Sequence, residues 1–169
     1  MKVLVTAASR HGTTAEIARA IGLVLSRRGI ETEVLPPDEV QSVEVYDAVL
    51  IGSSVYAGHW LAPAKKLVER EASELIKRPV WLFSSGPLGE PATPVEEPVD
   101  VAAVRARTRA LDHRVFAGKA DPQELGFVER SILRLVRAPR GDFRDWPAIE
   151  AWATEIVRRI QSLVPLGVR

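Results

Sequence analysis

The hydrophobic positions of the chain change period repeatedly, and each change marks an element. Residues 2–7 form a short, nearly unbroken apolar run, the pattern of a strand buried on both faces of a parallel sheet. Over residues 13–28 the period lengthens. Ile17, Ile21, Val24 and Leu25 fall at i, i+4, i+7 and i+8, one apolar stripe along a helix. Arg27 and Arg28 occupy its last turn, where cations suit the dipole, and Gly29 supplies the stop. The alternation predicts further strands over 30–35, 48–53, 80–84 and 115–118, and helices over 62–76, 101–110 and 146–163. Residues 30–35 alternate apolar and charged, which predicts an edge strand. Leu67, Val68 and Leu75 mark the buried side of the second helix, and Pro147 falls in the first turn of the last, where proline is tolerated.

Strands alternating with helices predict a doubly wound parallel sheet of five strands with helices on both faces, in one domain over 1–169. Right-handed crossovers leave few topologies, and two doubly wound orders remain open at this point. Both place a ligand beyond the carboxyl ends of the strands, so the loops after the first, third and fourth strands are the expected functional ones. Two stretches break the rhythm. Residues 86–98 are rich in proline and acids and read as a long solvated loop. Residues 119–145, between the last strand and last helix, read as an insertion with a helical segment over 124–137 and a turn at Pro139-Arg140-Gly141-Asp142.

The first loop, Ser9-Arg10-His11-Gly12-Thr13-Thr14, leaves a strand and opens a helix. Helix N-termini present unpaired N–H groups and partial positive charge, which suits a phosphate. Glycine permits close backbone approach, and Ser9, Thr13 and Thr14 add hydroxyls. There is no G-x-x-x-x-G-K-[ST] and no G-x-G-x-x-G here, so neither a P-loop nor a dinucleotide fingerprint is present. The plain alternative is an ordinary Ser or Thr helix cap. In the second loop, Ser53-Ser54-Val55-Tyr56-Ala57-Gly58-His59-Trp60, Tyr56 and Trp60 are flat surfaces suited to a planar ring. The alternative is that both aromatics fill the core and His59 caps a helix. The third loop, Ser84-Ser85-Gly86-Pro87-Leu88-Gly89, has small residues that let a ring lie against backbone; its alternative is a plain turn.

The first loop resembles the FMN phosphate loop of the flavodoxin family, departing from it at His11, where the family has threonine. Residues 49–60, ending at Gly58-His59-Trp60, and the insertion with its 124–137 segment are similar to the menaquinone-dependent protoporphyrinogen dehydrogenases, a flavodoxin-like family. Residues 80–89, Glu97-Pro98-Val99-Asp100, residues 113–118 and residues 141–146 resemble the flavodoxin-domain proteins of high-GC bacteria. The resemblance spans the whole chain. It implies a flavodoxin-like three-layer α/β/α fold with strand order 2-1-3-4-5. It implies noncovalent FMN, with Ser9, Arg10, His11, Gly12, Thr13 and Thr14 around the phosphate. Ser53, Ser54, Val55, Tyr56, Ala57 and Gly58 would wrap one side of the isoalloxazine, and Ser85, Gly86, Pro87, Leu88 and Gly89 would border the other. No side chain is assigned as catalytic acid or base, because FMN carries the chemistry. The redox partners it implies are a porphyrinogen and a quinone.

Composition narrows this further. Cysteine is absent, which excludes a disulfide framework, a thiolate zinc site, an iron–sulfur cluster and a cysteine nucleophile; no metal site is expected. Twenty-three Lys and Arg stand against 22 Asp and Glu, a net charge of +1 that predicts no nucleic-acid binding and disfavours docking through an acidic face. No run reaches the ~20 apolar residues of a membrane span, and residues 1–5 do not read as a signal peptide, so a mature cytoplasmic chain is expected. The insertion is basic, with Arg130, Arg134, Arg137, Arg140 and Arg144 beside Leu125, Phe127, Val128, Ile132, Leu133, Leu135 and Val136. A basic amphipathic helix there suits peripheral contact with an anionic membrane at its inner face, or porphyrin propionates; its plain alternative is a core-facing helix with solvated arginines. Glu90, Glu96, Glu97 and Asp100 are expected to be solvated, as are Arg105, Arg107 and Arg109. A monomer and a homodimer both fit. Two other functions stay open: an electron carrier with no substrate of its own, and a cofactor-free interaction module on the same fold.

Overall fold

The computed structural model describes residues 1–86, 97–120 and 141–163. The helix expected over 124–137 lies outside them, and with it the proposed membrane contact. Five parallel strands form the sheet: β1 (Lys2–Ala8), β2 (Glu31–Leu35), β3 (Ala48–Tyr56), β5 (Val80–Gly86) and β6 (Asp112–Ala117), in the order β2-β1-β3-β5-β6. That is the expected 2-1-3-4-5 order. A two-residue strand, β4 (His59–Trp60), adds antiparallel to the end of β3.

Alternate residues of each strand feed two separate cores. Val3, Val5, Leu50, Trp81, Phe83 and Phe116 face α1 (Thr13–Arg27) and α5 (Trp146–Leu163). Leu4, Val49, Ile51, Val80 and Leu82 face α2 (Ala62–Arg70), α3 (Ala72–Leu75) and α4 (Val101–Thr108). The stripe expected on α1 is the one buried: Ile17, Ile21 and Leu25 are fully enclosed and Val24 packs at their side. α1 then ends in a Schellman motif, with the Gly29 N–H on the Ser26 carbonyl, the Ile30 N–H on the Leu25 carbonyl, and Gly29 at φ 79°. Trp152 of α5 meets Phe116 and Phe83 edge-on, centroids 5.6 and 6.2 Å away.

Three boundaries differ from expectation for visible reasons. The helix expected over 62–76 breaks at Glu71, whose backbone leaves the helical region at φ −101°, ψ 9°. Its buried carboxylate accepts the Val43 N–H at 3.0 Å and the Arg70 Nε–H at 2.8 Å, contacts no periodicity records. β6 begins three residues before the expected start because polar Asp112, His113 and Arg114 can pair at a sheet edge. Residues 119–142 hold a stalk: β7 (Lys119–Ala120) pairs antiparallel with β8 (Gly141–Asp142), where a turn was expected. Arg144, expected among the free insertion cations, is instead nearly buried. It binds Asp142 at 2.6 Å and Glu16 of α1, and lies over the Trp146 ring at 4.6 Å.

The Phe83 ring of β5 occupies the space that a side chain at Gly52 of β3 would fill. A Cβ there would sit 2.2 Å from the Phe83 ring, itself fully buried. Gly52→Ala is therefore expected to lower stability by about 1–3 kcal/mol, as overpacking does. Urea unfolding of the variant measures it; an unchanged midpoint would show that Phe83 can move aside.

Candidate functional site

The carboxyl ends of β1, β3 and β5 lie side by side, set by Ala8↔Ser53 and Ser54↔Ser85 pairing. The loops that leave them meet. Thr14 Oγ1 and Ser54 Oγ are 2.6 Å apart, and the Arg10 guanidinium lies 4.7 Å from the Tyr56 ring centroid, so the first loop is tied to the second at two points.

The first loop is built around Gly12, which caps α1 in the left-handed region at φ 81°. Among the described residues no side chain caps the helix. The simple reading of Ser9, Thr13 and Thr14 as helix caps therefore fails. Ser9 Oγ is enclosed yet has no hydrogen-bond partner among the described residues. A polar atom in that position calls for a ligand or a water. Arg10 and Gly12 are exposed, His11 and Thr13 partly so, and Thr14 is buried with its hydroxyl on Ser54.

The second loop is a hairpin rather than an irregular loop. β3 runs on to Tyr56, and Ala57 (φ 49°) and Gly58 (φ 81°) form the two-residue turn into β4, the left-handed pair that suits strand twist. Tyr56 and the turn stand exposed, while Ser54 and Val55 are half-buried. Ser53 is fully buried; its Oγ donates to the Ser54 carbonyl at 2.8 Å and accepts the Leu61 N–H at 2.9 Å. Trp60, expected as a second flat surface, is 2% exposed, and its indole N–H donates to Ser84 Oγ at 2.8 Å. It is a core residue. The apolar character that suggested stacking is the same character that buries it.

The third loop begins with Ser85, buried, and Gly86, half-buried; Pro87, Leu88 and Gly89 lie outside the described residues. The Gly86 carbonyl accepts the Gly118 N–H at 2.6 Å, and a Cβ on Gly118 would come within 2.8 Å of that oxygen. Hence the stalk of the insertion roots beside this third loop.

Two acids expected to be solvated have specific tasks. Asp100, at the start of α4, accepts the Trp60 N–H at 2.8 Å and lies 3.2 Å from His59 Nδ1 and 3.5 Å from Lys65 Nζ. The Val99 N–H adds a bond to the Gly58 carbonyl at 3.0 Å. Burial pushes the Asp100 carboxyl up, but the Trp60 N–H, Lys65 and His59 outweigh it and hold the group below its ordinary range. Glu97 lies 3.0 Å from His113 Nδ1. No motif marks either contact, because both partners are distant in sequence. Arg105, Arg107 and Arg109 are exposed as expected. A separate open depression of about 450 Å³ lies at the other end of the sheet, beside Trp81, Trp152 and Arg159. One of its two carboxylates, Asp112, is taken up by the Trp152 indole N–H at 2.9 Å and by Arg114 at 3.3 Å. No metal-binding cluster occurs among the described residues, and none of the described helices is long and apolar enough to cross a membrane.

A doubly wound sheet in this order, with an uncapped glycine-led helix at its switch point, is the architecture of the flavodoxins. The family described as the flavodoxin domain matches residues 4–146, and the chain belongs to it. Among solved structures it resembles a flavodoxin from the domain Archaea (TM-score 0.66, 16% identity, covering 95% of this chain and 99% of that one). It also resembles the rubredoxin oxygen:oxidoreductase of Desulfovibrio gigas (TM-score 0.64, 13% identity, 95% of this chain and 36% of that one). These likenesses establish the fold. In sequence it is 31% identical over 86 residues to the protoporphyrinogen IX dehydrogenase [quinone] of Escherichia coli strain K12, over 50% of this chain and 48% of that protein. The match thus spans about half the length of these curated relatives. Family and fold together support a flavin-binding, electron-transferring protein.

Because Asp100 is held ionised, the stability it contributes is present above its ordinary pKa near 3.8 and is lost as pH falls through its lowered native value. Asp100→Ala is expected to cost about 1–3 kcal/mol at neutral pH. Thermal melts across pH 2–7 should show the acid loss shrinking in Asp100→Asn (about the range over which carboxylates titrate); an unchanged profile would remove Asp100 as the hairpin's anchor.

Proposed function

We propose that the three loops bind FMN, with the protein acting as an oxidoreductase that takes electrons from a porphyrinogen-like donor and passes them to a quinone. The observation that carries the cofactor assignment is the pairing of an α1 N-terminus that no side chain caps with the enclosed, unpartnered Ser9 Oγ. That combination fits a phosphate monoester. The N–H groups of Gly12, Thr13 and Thr14 would point at it, with Ser9 and Thr13 hydroxyls as further donors. His11 replaces one hydroxyl of the family pattern, so backbone donors carry more of the phosphate there.

When bound, FMN supplies the hydride or single-electron chemistry, and the protein supplies position and electrostatics. Tyr56, exposed at the hairpin, is the aromatic face available to the isoalloxazine, and Arg10 stacked on it places a cation beside the ring. Ser54, Val55, Ala57 and Gly58 would line one side, Ser85, Gly86 and the residues after them the other. The donor and acceptor classes rest on the half-length likeness to protoporphyrinogen IX dehydrogenase. The near-neutral net charge supports them over an acidic carrier, whose docking face would need an excess of carboxylates.

Two measurements test this reading. Purified protein mixed with FMN and desalted should keep a flavin absorption spectrum, released on denaturation; a colourless product would overturn the cofactor assignment. Gly12→Val, which forces a branched residue into the left-handed region in front of the phosphate donors, should weaken FMN binding at least about tenfold with the far-UV spectrum unchanged. The loaded protein should then oxidise a porphyrinogen with a quinone as acceptor; loading without turnover would leave the electron-carrier function instead.

A further inference from the structure

Beneath the hairpin runs a chain of three hydrogen bonds that no motif announces, buried at Trp60 and Ser84 and ending at the exposed Glu97. Trp60 Nε1 lies 2.8 Å from Ser84 Oγ, Ser84 Oγ lies 2.8 Å from His113 Nε2, and His113 Nδ1 lies 3.0 Å from Glu97 Oε1. It joins β4, β5, β6 and the segment that enters α4. The Ser84–His113–Glu97 connectivity is that of a nucleophile–base–acid triad, but Ser84 is fully buried and its Oγ already accepts the indole, so no substrate reaches it.

The donors dictate a single direction. An indole N–H only donates, so Ser84 Oγ accepts from Trp60. The Glu97 carboxylate only accepts, so His113 Nδ1 must carry a proton, and in the neutral ring Nε2 is then bare and accepts the Ser84 hydroxyl. His113 therefore bears its proton on Nδ1, aimed at Glu97. A proton added at Nε2 would turn that nitrogen into a second donor to Ser84 Oγ, competing with the Trp60 indole and leaving the Ser84 hydroxyl without its acceptor, so the bond to Trp60 weakens.

We propose that His113, neutral and protonated on Nδ1, is a positioning residue for the ring-side hairpin: through Ser84 it fixes Trp60, and with it the Tyr56–Gly58 turn, and its protonation loosens that hold. This rests on the flavin reading above. The hairpin is gripped at both ends of Trp60, the amide by Asp100 and the indole by Ser84. Removing the second grip leaves the turn attached by its backbone but free to tilt.

The charges around His113 set the direction of the pH effect. Burial disfavours its charged form, Glu97 and Asp112 favour it, and Arg105 of α4 opposes it. The balance holds the imidazole below its ordinary value near 6.5. The native neutral form therefore supports the hairpin fully above that value, and support is lost as pH falls through the lowered native pKa.

The experiment compares two amides. Gln at 113 places its amide where Nε2 lies and keeps an acceptor for Ser84; Asn at 113 places it near Nδ1 and keeps only the Glu97 side. With FMN as probe, wild-type affinity should drop several-fold as pH falls below about 6.5. H113Q should keep the neutral-pH affinity and lose that drop, and H113N should bind about tenfold more weakly at neutral pH. In flavin-free protein at pH 7.5, nitrogen-15 shifts should show Nδ1 protonated and Nε2 bare, and exchange of the Trp60 indole hydrogen should quicken in acid. A proton on Nε2, or an H113Q pH profile identical to wild type, would overturn the proposal. Equal loss of stability in both variants with FMN affinity untouched would also overturn it, reducing His113 to core support. If wild-type protein takes up no FMN at any pH, the flavin reading fails by itself, and the tautomer with the indole exchange still decides the hydrogen-bond chain.

Discussion

Everything at the carboxyl end of the sheet hangs on the register of β3 between β1 and β5. Because side chains alternate, a slip of one residue would exchange Leu50, which belongs to the core under α1 and α5, with Ile51, which belongs to the core under α2 and α4. Both are fully buried, so the register is enforced by two independent cores at once. Once it is set, Ser54 falls opposite Ser85 and next to Thr14, and three loops distant in sequence become neighbours. The apolar interior thus acts as the ruler for a polar surface it never touches.

A second layer of organisation is carried by carboxylates. Glu71 holds the Val43 amide, Asp100 the Trp60 amide, Asp112 the Trp152 indole, and Glu97 His113. In each case an acid reaches a group from another part of the chain, often a backbone N–H that would otherwise be unsatisfied. A net charge near zero therefore conceals a division of labour: part of the acid complement works inside the fold. Arg144 does the same for the cations, neutralising Asp142 and Glu16 where a first-turn acid lies close to the proposed phosphate.

How much of this was legible follows from what each signal depends on. The strands and the buried faces of α1 and α2 could be read because burial imposes a period on the sequence; the strand order was given by the resemblance to the flavodoxin family, since periodicity left two orders open. Helix 146–163 was read to its ends, with Pro147 marking the start. The switch-point loops could be read from small and hydroxylated residues following apolar runs. Sequence could not show that residues 53–60 close as a hairpin, since Ala57 in a left-handed turn is not the residue type that announces one. Nor could it separate Tyr56 from Trp60: alternation along β3 and β4 decides which aromatic faces out, and β4 is too short to show a period. Asp100, Glu97 and His113 were invisible for a different reason. Each acts on a partner 16 to 41 residues away, and such contacts exist only after the chain has folded.

The β7–β8 stalk has an evolutionary consequence. Lys119 pairs with Asp142 and Ala120 with Gly141, so the chain departs from the domain and returns to it at one point. What lies between is topologically a graft. Lengthening it costs only loop-closure entropy, about 0.6 kcal/mol for each doubling, and leaves the sheet unstrained. The stalk is rooted through Gly118 on Gly86, beside the third loop of the proposed flavin site. A lineage can therefore lengthen or exchange the segment between β7 and β8 without altering the loops of the proposed flavin site, and selection can act on the two almost separately.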